Sequence, residues 1–334
     1  MRELTPLNAA DWAANLPRNT GLPPEPSRSE ELGGGVSNKV ILTEGPHGRA
    51  VLKQSLGKLR VEQEWLSDRD RIFREAEIMR WLNDPSRSSS LQGGRVPRLL
   101  AEDRADYIIA MEAAPRSAEM WKTRLFRGEL DPAAARAAGT MLGSIIAASW
   151  HHPEAESLFG DQTVFDQLRI DPYYRAAARR NPDTADWFDA LIARSAARRV
   201  SLVHGDWSPK NLLIDITGEL WVIDWEVIHF GDPAYDVAFL LNHLLLKSIA
   251  LPQYRDGLRR LAVEFLRALE TALPPDARWI GTAAFEHLPA LLLARVDGKS
   301  PAEYLDAAMA TTARRRALSM IRNPMTDITE AFEA

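Results

Sequence analysis

Two short segments of the sequence place acidic and amide side chains at a spacing suited to chemistry on phosphate groups. The first reads HGDWSPKN, from His204 to Asn211, and the second reads VIDWE, from Val222 to Glu226. In the first segment, Asp206 follows the histidine and precedes the asparagine. In the second, Asp224 follows a run of apolar residues that predicts a strand. The two carboxylates and the amide are therefore the residues from which a reaction can be built.

Transfer of a phosphoryl group explains why these residue types are needed. Their order, His-x-Asp, four residues, Asn and then a later Asp, is that of the kinase catalytic loop and metal-binding segment. One carboxylate must accept the proton of the attacking hydroxyl, and we predict this role for Asp206. Mg²⁺ prefers hard oxygen ligands, so we predict Asn211 and Asp224 as its ligands. Lys210 is a further catalytic candidate, either touching the transferred phosphate or facing solvent.

Turn formation, a metal-dependent hydrolase site and a pseudokinase are the alternative interpretations. Each explains less of this pattern than a kinase site does. Residues such as Gly205 and Pro209 are common in turns, which would account for each segment taken alone. A metal-dependent hydrolase built on His204, Asp206 and Asp224 would normally recruit further histidine ligands, and the histidines are scattered. A nucleotide-binding pseudokinase would be expected to have lost the base, the metal ligands or the phosphate-binding lysine. Since all of these are present, we interpret the segments as a kinase site and His204 as orienting its loop.

The N-terminal half supplies candidates for binding a nucleotide. The residues Ala50 to Lys53 match the V-A-I-K strand pattern, in which the lysine reaches the phosphates of ATP. A helix is predicted from Ser67 to about Leu82, where Ser67 and Asp70 resemble a capping box. This helix should offer the lysine a carboxylate. We choose Glu75 with Glu77 as the alternative, because the two lie on different faces of the helix.

A glycine-rich loop and a strand end complete the predicted nucleotide site. The glycines at 33–35 would cover the phosphates with backbone N–H groups. Asn38 stands where a Rossmann motif needs its third glycine, which argues against that fold. The end of the strand YIIA would contact adenine through its backbone. The residues assigned to the nucleotide are Lys53, Glu75, Gly34, Gly35, Ser37, Asn38, Met111, Glu112 and Ala113.

The elements that must position these residues fall into two regions. Apolar runs at Val40–Thr43 and Ala50–Leu52 flank a Gly/Pro turn and predict a hairpin, and VPRLLAED and YIIAME predict two more strands. From about residue 115 onward, helical patterns surround a β-rich island at 202–224. We therefore predict an α+β, bilobal protein-kinase-like fold with a small antiparallel-sheet N-lobe and a larger, mostly helical C-lobe. The predicted boundaries are an irregular lead-in at 1–29, an N-lobe at 30–114 and a C-lobe at 115–334.

The composition excludes several other classes of protein. The 334 residues carry 41 Lys and Arg against 46 Asp and Glu, so a net charge of −5 gives no electrostatic case for a nucleic-acid partner. The absence of Cys excludes disulfide scaffolds and thiolate zinc sites. The N-terminus lacks an apolar signal core, and polar residues interrupt the most apolar stretch, Val237–Leu251, so no membrane partner is expected. We expect a cytoplasmic protein of undetermined oligomeric state.

The segments HGDxxxxN, IDWE and GDPAYDVA (Gly231–Ala238) resemble the signature of the aminoglycoside phosphotransferase and choline kinase-like superfamily. The resemblance spans about residues 30–250. It implies a protein-kinase-like fold, ATP and Mg²⁺ as cofactors, and transfer of the γ-phosphate to a hydroxyl group of a small molecule. It also implies that Asp236 is a structural carboxylate that braces the catalytic loop.

A narrower likeness is to 5-methylthioribose kinase. The stretch Leu52–Trp65 is similar to the one that follows the phosphate-binding lysine there, and Arg314–Arg316 loosely resembles the basic pair that contacts the sugar. A solvated helix face is the better interpretation of that arginine run. This chain departs from those kinases in its catalytic loop and lacks a Pro after Asp224. A sugar such as methylthioribose, an aminoglycoside and an amino-alcohol all stay open as acceptors.

Several aromatic and polar residues near the predicted site are candidates for contacts with the acceptor. Side chains with helical spacing more often belong to a core, so these assignments compete with ordinary packing. The assigned acceptor contacts are Trp207, Glu226, His229 and Tyr173, with Trp121 and Tyr174 as further candidates.

Overall fold

The computed structural model describes residues 3–14, 28–33, 37–45, 48–58, 60 and 67–333. The predicted loop glycines Gly34 and Gly35 lie outside the described residues. Within the Leu52–Trp65 stretch, residues 59 and 61–65 lie outside them as well. The chain divides into two compact units. The first comprises Met1–Ser89 and Val96–Arg116, and the second comprises Ser90–Arg95 and Ser117–Ala334.

The first unit is built on five strands, β1 (Arg28–Glu31), β2 (Asn38–Gly45), β3 (Gly48–Ser55), β4 (Leu99–Asp103) and β5 (Ile108–Glu112). They form an antiparallel sheet in the order β1-β2-β3-β5-β4. Its largest helix carries buried apolar side chains along one face, Ile72, Ala76 and Met79 among them, as the helical spacing predicts. The predicted hairpin is formed by β2 and β3, which pair antiparallel from end to end. The helices of this unit are α1 (Pro6–Ala14), α2 (Arg71–Asn83) and α3 (Pro85–Ser88).

Two local expectations for this unit are wrong. The lead-in is not irregular throughout, because α1 packs Ala9 into a core cluster of the sheet and Trp12 Nε1 donates to Asp103 (3.0 Å). The many alanines of α1 give it only a weak amphipathic pattern, so the sequence does not predict the helix. Packing against the sheet stabilises it. In addition, α2 begins at Arg71 and no side chain caps it. The Arg71 guanidinium instead donates to the carbonyls of Ser67 (3.5 Å) and Asp68 (2.7 Å) and so fixes the backbone that leads into the helix.

The second unit is mostly helical, with short strands where the β-rich island was predicted. Its helices are α4 (Trp121–Phe126), α5 (Pro132–Ser149), α6 (Pro153–Phe159), α7 (Thr163–Phe165), α8 (Ala176–Arg180), α9 (Ala185–Ala197), α10 (Ala234–Ala250), α11 (Arg255–Ala272), α12 (Trp279–Asp297), α13 (Ala307–Arg322) and α14 (Ile328–Glu333). Its strands are β6 (Glu119–Met120), β7 (Ser201–Val203), β8 (Leu212–Ile214), β9 (Leu220–Val222) and β10 (His229–Gly231). A π-helix spans Asp166–Arg175, and single 3₁₀ turns lie at Pro182–Thr184, Pro252–Tyr254 and Pro275–Ala277.

Sequence signals explain how the core of the second unit forms. The Asp131 side chain accepts from the backbone of Ala133 (2.8 Å) and Pro132 begins α5, as predicted. Gly139 lets α11 approach α5 closely, since a Cβ there would lie 2.3 Å from the Phe265 carbonyl oxygen. The segment Ser90–Arg95, within the range expected for the N-lobe, belongs to this unit because Arg95 bridges to Trp221.

The predicted fold class is confirmed: an antiparallel sheet of five strands and a mostly helical remainder. Among the helices within the described ranges, none combines the length and the apolar character needed to cross a bilayer.

Candidate active site

The loop that follows β7 is fixed by a carboxylate from the first turn of α10. Asp236 Oδ2 accepts from the backbone N–H of His204 (2.6 Å), and its Oδ1 accepts from the N–H of Gly205 (2.9 Å). Gly205 has φ +78°, and a Cβ there would lie 2.7 Å from a methyl group of Val227, so glycine is required. Both carboxylate oxygens of Asp236 are thus directed at the start of the predicted catalytic loop.

His204 is buried in the loop as a neutral imidazole. Its Nδ1 accepts from the backbone N–H of Asp206 (3.2 Å), and its Nε2 lies 3.1 Å from the carbonyl oxygen of Ile223. One nitrogen must therefore accept while the other donates, which defines the Nε2–H tautomer. Burial lowers the pKa of His204 to about 4. The histidine ties the loop to the strand that leads into Asp224.

This buried histidine makes stability depend on pH. Because its pKa in the folded protein (about 4) lies below the ordinary 6.5, the unfolded chain binds this proton first as the pH falls. The contribution of His204 to the free energy of unfolding is present above pH ~6.5 and is lost towards pH ~4, by about 3 kcal/mol. We expect His204→Gln to flatten the slope in this range, as measured by urea unfolding at a series of pH values. An unchanged slope would contradict a buried neutral His204.

Asp206 lies at the centre of a buried ion-pair network. Its Oδ2 is 3.0 Å from Arg169 Nη2 and 2.9 Å from Lys210 Nζ. Burial opposes ionisation of Asp206, but Lys210 and Arg169 outweigh it and hold the pKa of this carboxyl below its usual range. Asp206 is therefore ionised at neutral pH and able to accept a proton.

Arg169 is the residue of this network that the sequence did not reveal. It lies on the π-helix, and besides Asp206 it donates through Nε to the carbonyl oxygen of Gly205 (2.6 Å). It therefore fixes both the carboxylate and the backbone of the loop. No motif accompanies it, and it precedes Asp206 by more than thirty residues, so only the folded structure brings the two together.

Lys210 is placed differently from Arg169. Its side chain is 46% exposed while its Nζ contacts Asp206. Although desolvation opposes it, attraction by Asp206 and Asp224 raises the pKa of Lys210. A partly exposed cation next to the predicted base is able to reach a phosphate group, which is one of the two roles predicted for it from the sequence.

Asn211 and Asp224 lie at neighbouring strand ends. Asn211 precedes β8 and Asp224 follows β9, two strands paired through Leu212 and Val222. The backbone N–H of Ile223 donates to the Asn211 carbonyl oxygen (3.0 Å). Asn211 Nδ2 donates to the carbonyl oxygen of Asp206 (3.0 Å), which leaves its amide oxygen as the ligand end.

The donor set of these two residues fits Mg²⁺. An amide oxygen and a carboxylate are hard oxygen ligands, and Mg²⁺ is commonly held by one or two protein groups together with phosphates and water. Asp224 has φ +68°, a left-handed conformation that Asp tolerates better than most residues. Such backbone strain concentrates at functional sites.

In the first unit, Lys53 and Glu75 form a buried pair. Lys53 lies on β3, Glu75 lies on α2, and Lys53 Nζ is 2.6 Å from Glu75 Oε2. Glu77, the alternative partner, contacts Arg80 on the exposed face of α2 (3.1 Å). The structure therefore selects Glu75 as the carboxylate that orients the lysine.

Glu75 and Glu77 offer a matched test of this pair. Glu75→Gln should raise the KM for ATP about tenfold or more, because the lysine loses the carboxylate that orients it and is left buried and unpaired. Glu77→Gln changes an exposed pair and should leave that KM unchanged within about twofold. Steady-state kinetics at varied ATP measures both variants. Equal effects of the two substitutions would contradict the assignment.

The remaining residues predicted for the nucleotide lie at ends of strands. Asn38 begins β2 and its Nδ2 donates to Ser37 Oγ (3.0 Å). Met111 and Glu112 end β5, where the backbone N–H of Glu112 donates to the carbonyl oxygen of Arg98 (2.9 Å). Ala113 follows directly. Contacts of these residues with a nucleotide stay predictions.

The residues predicted to contact the acceptor are all buried, but their surroundings differ. Trp207 is 0% exposed and its ring packs edge-on against His204 at 5.6 Å, which indicates a packing role, and a contact with the acceptor stays a prediction for it. His229 stacks on Phe165 at 4.0 Å, which indicates a packing role. Tyr173 is buried between two arginines and stays a candidate.

Three other candidates for contacts with the acceptor are also buried. Trp121 is buried, and Tyr174 Oη lies 2.8 Å from His287 Nδ1. Glu226 is buried, and a contact with the acceptor stays a prediction for it. In the arginine run, Arg314 pairs with Asp297 (2.7 Å), which supports its interpretation as part of a helix face.

Comparison with known proteins supports the chemistry suggested by this geometry. Residues 29–262 match the profile of the phosphotransferase enzyme family. The chain belongs to the phosphotransferase enzyme family. The predicted family and the predicted enzyme class, a phosphotransferase, are confirmed by this match, which covers more than half of the chain.

Individual relatives of this phosphotransferase are more distant. A methylthioribose kinase from Pectobacterium atrosepticum is 26% identical over 278 residues, covering 73% of this chain and 66% of that enzyme. A structure of the aminoglycoside phosphotransferase APH(4)-Ia with AMP-PNP and hygromycin B has a TM-score of 0.53 at 15% identity, covering 94% and 98% of the two chains. The amicoumacin kinase hAmiN has a TM-score of 0.52 at 15% identity, covering 92% of each chain. These structures show the shared fold.

Proposed function

We propose that this phosphotransferase moves the γ-phosphate of ATP to a hydroxyl group of a small molecule in a Mg²⁺-dependent reaction. The observation that carries the proposal is the ionised, buried Asp206 on a loop that Asp236 fixes, beside the oxygen ligands Asn211 and Asp224. Relatives that phosphorylate small molecules support it, methylthioribose kinase among them.

In the proposed reaction, Asp206 accepts the proton of the acceptor hydroxyl as its oxygen bonds to the γ-phosphorus of ATP. The bond from that phosphorus to the bridging oxygen breaks, and ADP leaves with the electron pair. Arg169 and Lys210 keep Asp206 ionised between turnovers, and Arg169 also fixes its position. Since the transition state of phosphoryl transfer is loose, positioning of the hydroxyl matters more than the strength of the base.

Asn211 and Asp224 would hold the magnesium ion. When bound, the ion supplies positive charge that neutralises the phosphate oxygens. Lys53, oriented by Glu75, is proposed to bind phosphates of ATP. We assign the nucleotide-binding residues to a lobe at 30–114 and the catalytic residues to a lobe at 115–334. A cytoplasmic location, where ATP is abundant, suits this reaction.

The function is tested by a coupled ADP-release screen against hydroxylated small molecules, with sugars, aminoglycosides and amino-alcohols in the panel. We expect acceptor-dependent ADP release that requires Mg²⁺. Binding of Mg-ATP without turnover on any acceptor would indicate a pseudokinase. Release of phosphate without an acceptor, insensitive to competition by nonhydrolysable ATP analogues, would indicate a hydrolase.

A further inference from the structure

Two buried cations in the second unit have no carboxylate partner. Lys247 of α10 is 1% exposed and Arg295 of α12 is 8% exposed. Within the described part of the chain, neither forms an ion pair, whereas the buried Arg169 pairs with Asp206. Buried charges in proteins are normally paired, because desolvation of an isolated ion is costly. Two unpaired cations therefore need a physical reason.

The surroundings of Lys247 are aromatic and basic. Its Nζ lies 3.4 Å from the His243 carbonyl oxygen and 5.5 Å from the ring centroids of Phe126 and Tyr304. Burial, aided by repulsion from Lys122 and Arg295, lowers the pKa of Lys247 to about 7. The carboxylate that attracts Lys247 belongs to Glu303, which is itself paired with Lys122 at 2.7 Å. The ring contacts alone do not offset the cost of this charge.

Arg295 is bound by neutral groups. Its Nη1 donates to the carbonyl oxygen (2.5 Å) and the hydroxyl (2.9 Å) of Ser300, and it lies 3.4 Å from the Tyr173 hydroxyl. Its Nε is buried without a hydrogen-bond partner. Tyr304, the ring over which Lys247 lies, likewise has a buried hydroxyl without a partner. Arg295 Nε and the Tyr304 hydroxyl are thus two buried donors that no acceptor among the described residues satisfies.

This region adjoins the candidate base. Arg169, which pairs with Asp206, lies 5.7 Å from the ring centroid of Tyr173, and Arg295 lies 6.0 Å from the same centroid. Tyr173 therefore connects the Asp206 network to Arg295. On α10, Lys247 shares a face with Asp236, eleven residues and about 16 Å away along the helix.

We propose that the acceptor carries an anionic group, a carboxylate or a phosphate, which binds Lys247 and Arg295 while its hydroxyl meets Asp206. The inference rests on the proposed function and narrows its substrate class. The Tyr304 hydroxyl would donate to the same anion. A cationic acceptor such as an aminoglycoside or choline would be repelled by Lys247 and Arg295. Cationic small molecules are therefore not expected to be substrates of this chain.

Binding of simple anions tests the site without knowledge of the acceptor. The melting temperature is measured with increasing malonate or inorganic phosphate against sodium chloride at equal ionic strength. We expect a saturable rise for the wild type that is lost in Lys247→Met and in Arg295→Met. Lys247→Met should melt no lower than the wild type without anions, since an unpaired buried charge is replaced by an apolar side chain. Arg295→Met also loses the hydrogen bonds to Ser300, so it should melt lower than the wild type and still fail to respond to malonate.

Controls identify where the anion binds. Arg267→Met, which alters an exposed arginine, should respond to malonate as the wild type does. Lys53→Met should also keep the response to malonate while losing the response to ATP. A rise that persists in both Lys247→Met and Arg295→Met, or no rise in the wild type, would overturn the anion site.

Turnover with matched acceptors tests the substrate class. Hydroxy acids are compared with their amides, sugar phosphates with the free sugars, and choline and kanamycin serve as cations. We expect kcat/KM to be about 100-fold higher for the anionic member of the active pair, and Lys247→Met to remove the difference. Better turnover of a neutral or cationic acceptor, unaffected by Lys247→Met, would overturn the inference while leaving the kinase intact. No ADP release with any acceptor would instead contradict phosphoryl transfer, and the malonate response would then decide the anion site alone.

Discussion

Asp206→Asn is expected to lower kcat by about 10²–10⁴-fold while the KM for ATP changes by no more than about twofold. The amide has nearly the shape of the carboxylate but cannot accept the proton of the attacking hydroxyl. Lys53 and Glu75 lie in the first unit and are untouched, so nucleotide binding should persist. Initial rates of ADP release at saturating acceptor measure kcat, and a titration with an ATP analogue measures binding.

Loss of stability has to be separated from loss of the base. Asp206→Asn leaves the buried Arg169 without its carboxylate, which costs about 3–5 kcal/mol when such a pair is broken. Asp297→Asn is the matched control, because Asp297 is also a buried carboxylate paired with an arginine, Arg314 at 2.7 Å. It should lower the melting temperature and keep kcat. If Asp206→Asn kept wild-type kcat, the proposed base would be wrong.

The second large effect is expected at Asp224. Asp224→Asn should raise the Mg²⁺ concentration needed for half-maximal rate by at least about tenfold, because a charged oxygen ligand is lost. Asparagine tolerates the φ of +68° found there, so the fold should be kept. Rates measured over a range of Mg²⁺ at fixed free ATP give the dependence.

Asp224→Ala serves as the companion variant. Alanine also removes the ligand, and it disfavours the left-handed backbone by about 1–2 kcal/mol. We therefore expect the two variants to share the altered Mg²⁺ dependence but to differ in thermal stability. If the Asn variant needed no more Mg²⁺ than the wild type, Asp224 would not be a metal ligand.

Much of the site geometry followed from local sequence patterns. The HGDWSPKN and VIDWE segments form adjacent loops because β8 and β9 are joined by a short turn, which keeps Asn211 and Asp224 close together. Likewise, Lys53 on a strand and Glu75 on the next helix meet because a helix packs across the strands it follows. Spacing along the chain was informative wherever the contacting residues lie in consecutive elements.

Contacts between distant segments were not accessible in this way. Arg169 reaches Asp206 from a π-helix, and no residue pattern in the sequence predicts the hydrogen-bond register of such a helix. Trp207 is a candidate for contact with the acceptor by its position next to Asp206, yet its ring packs against His204. Lys247 interrupts an apolar stretch in the sequence, and only the packing of α10 shows that it is buried without a carboxylate.

The most direct test is ³¹P NMR of a reaction containing Mg-ATP, an acceptor from the screen and the wild-type enzyme, with Asp206→Asn in parallel. We expect a new phosphate monoester resonance that grows as ADP appears in the wild-type sample and is absent with the variant. Phosphate appearing only as the free inorganic ion, or a monoester formed equally fast by both proteins, would contradict transfer at Asp206.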